Sequence, residues 1–308
     1  MYRFLSINIT FRQLKMFLAL ADTGSVSAAA KAMHVTQPTA SMQLKELGQS
    51  LGVALYEVIG KKVYLTVHGQ ELAHTARQML NTWDSFAQGV DAAQGLTRGK
   101  LRVAVVSTAK YFIPRLIGSF CQAHPAVDVS LEILNRDGVV QRLQSNLDDL
   151  YIMSQPPKHM DLNDQVFMSN PLVLIAPSDD PLTRETQLEL EQLQTRRFIL
   201  REKGSGTRMA VDGYFRQRRF KPQVRLELGS NEAIKESVAG GLGLGFVSSH
   251  ALHGLSEEHG VSVLQVVDTP IASHWHMVHL NSKKLTPVAA AFKRHLLEAS
   301  QSSLPTNT

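Results

Sequence analysis

The sequence predicts an α/β multidomain protein. Residues 10–68 have the pattern of three helices followed by two short extended segments, and a heptad spacing of apolar residues continues from there to residue 90. From residue 101 onward, short runs rich in β-branched residues alternate with helical patterns, which is typical of α/β domains with largely parallel sheets. We therefore expect a small helical domain, a long connecting helix and a larger α/β domain.

Composition excludes several classes of protein. Of the 308 residues, 44% are apolar and 19% are charged, as in ordinary globular proteins. No apolar run approaches the ~18 residues of a membrane span, and the amino terminus lacks the pattern of a secretory signal. The single cysteine, Cys121, excludes an internal disulfide and reads as a packing residue. The expectation is a cytoplasmic protein with no membrane partner.

Positive charge is concentrated near the amino terminus. The net charge is +5, and residues 1–100 carry 10 Lys and Arg against 6 Asp and Glu. An excess of cations in one domain suits a polyanionic partner such as nucleic acid. A solvated basic face would have the same charge balance, so the motifs have to decide between the two.

Capping signals mark the first two helices. Thr10 and Gln13 form a capping-box pair, Gly24 ends the first helix, and Ser25 can cap the second. The apolar stripe of the first helix is predicted as Leu14, Phe17, Leu18 and Ala21. The buried side of the second is predicted as Ala28, Ala29, Ala32 and Met33.

Pro38 marks the start of a third helix. Proline costs about 3 kcal/mol in a helix interior, but in the first turn its missing N–H has no intrahelical acceptor. Thr36 is a suitable N-cap, so the helix should run from about residue 37 to 50. Two helices joined by so short a turn form a helix-turn-helix. The predicted buried side is Ala40, Leu44, Leu47 and Leu51.

The outward side of this helix has short polar side chains and one cation, a composition that suits the major groove of DNA. We expect Gln37, Thr39 and Ser41 to read base edges, while Pro38 and Met42 offer apolar surface. Residues 55–69 predict a hairpin whose turn would act as a wing on DNA; a generic helical hairpin and a solvated turn are the alternatives. The predicted DNA-binding residues are Thr36, Gln37, Pro38, Thr39, Ser41, Met42, Lys45, Lys61 and Lys62.

Apolar residues in the region 70–90 are spaced 4, 3, 4, 3 and 4 apart. That heptad seam predicts a long helix that pairs with another helix. We favour self-association, with packing against its own domain as the alternative. A dimer would hold two reading helices about one DNA turn, ~34 Å, or a multiple apart. The seam consists of Leu72, Ala76, Met79, Trp83, Phe86 and Val90.

The remaining residues predict nine strands, with helices at about 111–123, 138–146 and 286–299 among those between and after them. The glycine-rich stretch GGLGLGF follows a helix and leads into a strand, which is the reverse of a dinucleotide-binding fingerprint. Its glycines are better explained by packing. The predicted strands are LRVAVV, VDVSLEIL, LYIM, PLVLIAP, RFILR, VRLEL, LGFV, VSVLQVV and WHMVHL.

Several of these segments carry a family resemblance. The stretch LKMFLALADTGSVSAAAKAMHVTQPTASMQLKELGQSLGVALYEVIGKKVYLTVHG resembles the amino-terminal domain of LysR-type transcriptional regulators. The segments LRVAVVSTAKYFIPRL, LDDLYIM, LREKGSGTR and GGLGLGFVSSHAL resemble the effector domain of that family, so the resemblance runs through the chain. ASMQLKELG, STAKYFIPRL and GSGTR are most similar to regulators of carbon-fixation operons.

The resemblance implies a winged helix-turn-helix at 8–68, a dimerisation linker helix at 69–98, and a periplasmic-binding-protein-like (type II) effector domain at 99–300. One lobe of that domain would comprise 99–169 plus 270–300, and the other 170–269. The implied assembly is a homodimer or homotetramer that bends promoter DNA and contacts RNA polymerase. Val58 and Met42 stand where many family members carry a basic residue; each lost cation should lower the salt dependence of binding by about one unit.

A two-lobed domain of this kind binds ligands between its lobes. Ser107 and Thr108 follow the first predicted strand and precede a helix, so hydroxyls and backbone N–H groups point to one spot. A glycine loop at 204–207 runs into another helix, between Arg201 and Arg208. We expect a small anionic effector, a carboxylate or phosphate metabolite; ordinary helix caps are the alternative. The predicted effector-binding residues are Ser107, Thr108, Arg136, Ser154, Gln155, Arg201, Gly204, Ser205, Gly206, Thr207 and Asn231.

Two other functional classes fit the sequence less well. Ser107 to Lys110 match the S-x-x-K of serine acyl hydrolases related to penicillin-binding enzymes, but the companion S-D-N and K-T-G motifs are absent. A solute-binding protein would leave residues 10–68 without a role. Along HWHMVH, His274 and His276 share one strand face and His279 lies on the other, which disfavours a zinc site. The sequence predicts a ligand-responsive transcription factor with no catalytic residues, metal or cofactor.

Overall fold

The computed structural model describes residues 9–60, 62–93, 98–252 and 260–302. Its contacts divide the chain into two units, residues 1–87 and 88–308. The elements that begin in the first unit form three short helices, a two-stranded antiparallel hairpin and a long helix. They are α1 (Phe11–Thr23), α2 (Val26–Ala32), α3 (Gln37–Leu51), β1 (Tyr56–Ile59), β2 (Lys62–Leu65) and α4 (Val67–Ala93).

The helix starts and stops follow the predicted capping residues. Thr10 and Gln13 exchange the two hydrogen bonds of a capping box. Gly24 ends α1 in the left-handed region at φ 62°, and the Ser25 side chain accepts from the N–H of Ala28 at the start of α2. Pro38 lies in the first turn of α3, behind the Thr36 cap, as expected for a proline that begins a helix.

The buried side of α2 corrects a prediction. Ala29 and Ala30 are buried as α2 packs between α1 and α3, whereas Ala28 and Ala32 are exposed. One residue turns a helix by about 100°, so the predicted stripe was rotated by one position. In a seven-residue segment in which four residues are alanine, the apolar periodicity cannot define the inward side.

The start of α4 depends on Gly69. A methyl group added there would lie 1.9 Å from the carbonyl oxygen of Leu55, so the helix passes against the backbone of the hairpin. Farther along, Ala73 and Ala76 are buried in the core of the first unit, together with Phe17 and Leu47. None of the helices in the described ranges is both long and apolar enough to span a bilayer.

The second unit contains two five-stranded sheets. The first has the order β4-β3-β5-β12-β6 and the second β11-β7-β10-β8-β9. We call the parts built on them lobe I and lobe II. Their elements are β3 (Gly99–Val106), α5 (Ile113–Ala123), β4 (Val127–Leu134), α6 (Arg136–Gln144), β5 (Leu150–Met153), β6 (Leu162–Ser169), β7 (Leu172–Pro177), β8 (Arg197–Arg201), α7 (Gly206–Gln217), β9 (Gln223–Leu228), α8 (Asn231–Ala239), β10 (Leu244–Ser248), β11 (Val261–Val263), β12 (His274–Leu280) and α9 (Pro287–Ser302).

Both sheets are mixed, which corrects the expectation of largely parallel pairing. In lobe I, β3 pairs in parallel with β4 and β5, but β12 is antiparallel to β5 and β6. In lobe II, β8 is parallel to β9 and β10, and β7 is antiparallel to β10 and β11. β12 enters lobe I only after the chain has passed through lobe II, and it therefore runs against the strands already there.

The topology sets where polar groups collect. In lobe I, the carboxyl ends of the parallel strands β3, β4 and β5 lie at one edge of the sheet, and in lobe II those of β8 and β9 do the same. Loops at the carboxyl ends of parallel strands are where α/β sheets bind ligands. Below these edges, the cores centre on Trp275 and Phe292 in lobe I and on Phe198 and Phe246 in lobe II.

Candidate DNA-binding and effector sites

The predicted reading face of α3 is accessible to solvent. Gln37, Pro38 and Lys45 are exposed, and Met42 keeps 54% of its surface exposed. Thr39 and Ser41 on the same helix are partly exposed. Thr36 caps the helix, with its hydroxyl 2.8 Å from that of Thr39. The opposite side of α3, with Ala40, Leu44 and Leu47, is buried.

The hairpin β1–β2 forms the predicted wing. Its turn contains Gly60 at φ 65°, and Lys62 is exposed beside it. Lys61, the other predicted wing cation, lies outside the described residues. Sequence reasoning did not single out the apolar surface of the wing. Val58 and Ile59 are 61% and 63% exposed, and Tyr64 on the partner strand is 50% exposed.

In the second unit, Arg201 joins predicted effector residues of both lobes. Its guanidinium is buried, with 3% of the residue exposed. Nη1 donates to the Thr108 hydroxyl at 3.5 Å and to Asn231 Oδ1 at 3.3 Å, and Nη2 donates to the Ser107 hydroxyl at 3.3 Å. Asn231 also donates to the Thr108 hydroxyl at 3.3 Å. A cation, two hydroxyls and an amide thus converge between the lobes.

Arg201 also has a carboxylate partner that the sequence analysis missed. Its Nε donates to Glu202 Oε2 at 2.8 Å, and Nη2 donates to Oε1 at 3.0 Å. The pair therefore has the bidentate geometry in which arginine binds carboxylates and phosphates. The only signal of Glu202 in the sequence is its position next to Arg201 in REKGSGTR, and adjacency alone does not indicate a bidentate pair.

The glycine loop lies against lobe I. Ser205 caps α7, and Gly204 before it has φ +89°, a conformation that favours glycine. A methyl group at Gly204 would lie 2.3 Å from Asp137 Oδ2, and one at Gly206 would lie 2.7 Å from the Ser154 hydroxyl oxygen. The loop and the start of α6 are therefore in direct contact across the cleft.

The remaining predicted effector residues lie close to the same loops, and so does Arg208, which flanks the glycine loop. Arg136 donates from Nε to the carbonyl oxygen of Gln155 at 2.6 Å, which keeps both residues at the carboxyl edge of lobe I. Thr207 is buried in the first turn of α7. Arg208, which the sequence places at the far side of the glycine loop, donates from Nη1 to the carbonyl oxygen of Arg201 at 2.8 Å and pairs with Asp212 and Glu227.

A second contact between the lobes involves residues that are not among the predicted effector-binding residues. Glu232 in α8 accepts from Lys110 Nζ at 2.9 Å and from the Tyr111 hydroxyl at 2.6 Å. Partial burial acts to raise the pKa of Glu232, but these two donors outweigh it and lower the pKa to about 2. Burial, reinforced by Glu232, raises the pKa of Tyr111.

These contacts also bear on the alternatives. Lys110 is engaged by Glu232 and Ser107 by Arg201, which favours a structural S-x-x-K and not a serine activated by its lysine. On β12, His276 Nδ1 lies 2.6 Å from Asp164 Oδ1, and His279 bonds to a backbone carbonyl. Within the described ranges, no three His, Cys, Asp or Glu side chains come together as metal ligands.

Two parts of the chain match models of known protein families. Residues 11–70 match the family described as bacterial regulatory helix-turn-helix protein, lysR family, and residues 94–301 match the LysR substrate binding domain. The chain is 43% identical over 291 residues to the HTH-type transcriptional activator CmpR of Synechocystis, covering 94% of this chain and 95% of that one. It is 42% identical over 291 residues to a RuBisCO operon transcriptional regulator of Acidithiobacillus ferrooxidans, with 94% of each chain covered.

Among solved structures, the CcmR regulatory domain of Synechocystis in complex with 2-PG matches with 43% identity and a TM-score of 0.65. The match covers 67% of this chain and 99% of that one. The relatives are regulators and not enzymes, and they indicate no cofactor-binding enzyme family. Because the two domain matches together span most of the chain and the relatives align over nearly all of it, the chain belongs to the LysR family of DNA-binding transcriptional regulators and groups with the regulators of carbon-fixation operons.

Proposed function

We propose that this regulator reads promoter DNA through α3 and the β1–β2 wing, and that it senses a small anionic metabolite between lobes I and II. The observation that carries the effector site is the buried Arg201, which meets hydroxyls from lobe I and the Asn231 amide from lobe II. A buried guanidinium surrounded by hydroxyl and amide groups suits a carboxylate or phosphate. The 2-PG complex of the CcmR regulatory domain supports this ligand class.

The proposed domain limits are those of the sequence analysis: DNA binding at 8–68, the linker at 69–98 and effector binding at 99–300. The residues proposed to bind DNA and the effector are the two sets predicted from the sequence, and Lys61 is assigned from the sequence alone. The same proposal includes a homodimer or homotetramer formed through α4, contact with RNA polymerase at the promoter, and a cytoplasmic location with the DNA target. The exposed apolar residues of α4 support the oligomer.

Calorimetric titration of the full-length protein with 2-PG, inorganic phosphate and a panel of small carboxylates tests the effector site. We expect binding that Ser107→Ala and Arg136→Ala weaken, by about 10- to 150-fold each, because a hydrogen bond to a charged group contributes about 1.5–3 kcal/mol. Ser130→Ala, an exposed serine on β4, serves as the matched control and should bind like the wild type.

A gel shift completes the test, because the proposal requires a ligand to change how a promoter fragment is retarded. If no compound of the panel binds the wild type, the anion-sensing proposal is wrong. If compounds bind with equal affinity to wild type, Ser107→Ala and Arg136→Ala, the ligand occupies another part of the chain.

A further inference from the structure

The cleft proposed for an anionic effector already contains carboxylates of the protein itself. Asp137, in the first turn of α6 in lobe I, lies against the glycine loop of lobe II, so close that a methyl group at Gly204 would meet its Oδ2 at 2.3 Å. α7, which starts behind this loop, has no acidic residue of its own in its first turn. Because helix N-termini favour negative charge, lobe I supplies the carboxylate that the start of α7 lacks.

Glu202 is the second carboxylate of the protein in this cleft. It takes two N–H groups of Arg201, at 2.8 and 3.0 Å, and so fills the fork that an incoming carboxylate or phosphate would use. The Arg201 side chain is 2% exposed and that of Glu202 25% exposed. The arginine is therefore fixed in the protein, while its partner lies on the side that solvent reaches.

The neighbouring cations are paired in the same way. Arg136 Nη1 lies 3.4 Å from Asp137, and Lys110 Nζ lies 2.9 Å from Glu232. An anion that enters this cleft does not meet an unpaired positive charge at Arg201, Arg136 or Lys110. To bind one of these cations directly, it has to take the place of a carboxylate, because two anions at the same position repel each other.

We propose that Asp137 and Glu202 act as internal competitors of the effector and are displaced when its acidic groups bind the glycine loop and Arg201. The inference rests on the proposed effector site and adds a mechanism of regulation to it. Displacement of Asp137 removes a contact between α6 of lobe I and the loop of lobe II. Effector binding therefore changes the contacts that fix the arrangement of the two lobes.

Displacement of Asp137 costs little free energy, since its side chain is 65% exposed and exposed ion pairs stabilise by about 0–1 kcal/mol. Two carboxylates at two positions also define the ligand. A molecule with two acidic groups can replace both, whereas a monocarboxylate such as acetate replaces one and leaves the other in place. We therefore expect a doubly acidic effector to bind more tightly than either of its singly acidic halves.

The test uses the full chain and the variants Asp137→Asn and Glu202→Gln, each of which keeps the size of the side chain and removes its charge. Titrations with inorganic phosphate and with 2-PG should show binding about fivefold tighter than wild type, the factor recovered when a competing state populated about 80% of the time is removed. Asp128→Asn, an exposed residue at the opposite end of β4 from Asp137, removes the same charge and should bind like the wild type. Thermal unfolding of each variant checks that it is folded.

Salt separates displacement from a general loss of repulsion. At about 0.5 M salt the field of an exposed carboxylate such as Asp137 is screened within a few ångströms, so for Asp137→Asn only the displacement mechanism keeps the gain. Wild-type binding with unchanged or weaker affinity in both variants overturns the competition and leaves the effector site standing. Binding only in the variants supports the competition, and the absence of binding in wild type and both variants overturns it together with anion sensing.

Discussion

Arg201 shows how one side chain can link two lobes. A buried guanidinium is stable only when its N–H groups have partners. Nε and Nη2 share Glu202, Nη1 reaches Thr108 and Asn231, and Nη2 also reaches the Ser107 hydroxyl and the carbonyl oxygen of Gly229. Because Ser107 and Thr108 belong to lobe I and the other partners to lobe II, a ligand that changes the bonds of Arg201 also changes what holds the lobes together.

The contact of Lys110 and Tyr111 with Glu232 predicts a pH-dependent contribution to stability. The pKa of Glu232 falls from 4.5 to about 2 on folding, so the ionised carboxylate stabilises the folded state above pH 4.5. That contribution disappears as the pH falls through about 2. Since the Glu232 side chain is 44% exposed, we expect Glu232→Gln to lower the melting temperature at pH 7 by only about 1–4 °C.

Thermal melts of wild type and Glu232→Gln between pH 7 and the acid limit of solubility check this expectation, and the difference should shrink on acidification. Glu236→Gln, an exposed residue on the same helix, is the control and should melt like the wild type throughout. A Glu232→Gln difference that stays constant down to pH 2.5 would contradict the assignment of the stabilisation to the ionised carboxylate.

At this scale, the sequence could identify the groups that attract anions but not their internal partners. Ser107, Thr108 and Arg201 stand next to predicted strand ends, and the order of strands brings such positions together. Asp137 and Glu232 meet residues of the opposite lobe, and that contact depends on how closely the lobes approach. No local pattern encodes this distance.

At the scale of elements, α3 and the wing have different surfaces and predict different effects on DNA binding. Gln37 on α3 is exposed and neutral, so it is suited to base edges, whereas Lys62 on the wing is an exposed cation, which suits the phosphate backbone. We expect Gln37→Ala to reduce discrimination between the cognate promoter fragment and unrelated DNA by about 1–3 kcal/mol. Lys62→Ala should weaken binding to all DNA alike and lower the salt slope by about one unit.

Fluorescence anisotropy over a series of salt concentrations measures both quantities. Lys221→Ala, which removes an exposed lysine from the second unit, is the matched control and should leave the slope unchanged. If Gln37→Ala retains full discrimination, Gln37 does not read base edges, whatever the behaviour of Lys62→Ala.

The elements that the sequence predicted best are those with strong local signals. α1 and α3 begin at their predicted caps, and eight of the nine predicted strand segments contain a strand of four residues or more; VSVLQVV forms only the three residues of β11. β6 was missed because its sequence, LNDQVFMS, is half polar, with a polar run directly after Leu162; the strand lies at the edge of its sheet, where one side needs no partner. The pairing direction of β12 is a property of topology and has no local signal.

At the scale of the whole molecule, the two halves of the heptad seam on α4 differ. The first half packs against its own unit, and the second half is exposed as expected for self-association. Ala76 is buried in the core of the first unit and Leu72 packs against it. Farther along, Met79, Trp83 and Phe86 are 48%, 53% and 63% exposed, and the ring of Trp83 lies 5.7 Å from those of Phe11 and Phe86. A continuous strip of exposed apolar side chains on one helix, here Met79, Trp83 and Phe86, is characteristic of an interaction surface.

If this strip joins two copies of the chain, a charge placed in it should separate them. We expect Phe86→Glu to weaken dimerisation by about 30-fold or more, because central aromatic contacts of an interface contribute about 2 kcal/mol or more. Light scattering after size-exclusion chromatography measures the effect. Gln78→Glu adds the same charge at an exposed residue about 100° around the helix from the seam position Met79 and should stay oligomeric.

The same variant tests how the parts of the molecule cooperate. A monomer keeps one reading helix, so Phe86→Glu should lose the paired half-site footprint, in which contacts repeat about 34 Å or a multiple apart, and bind DNA at nonspecific affinity. Its effector affinity should remain that of the wild type, since Arg201 and its partners belong to the second unit of a single chain. Loss of effector binding in this variant would mean that the cleft is completed only in the oligomer, and an unchanged footprint would mean that α4 is not the surface that pairs the reading helices.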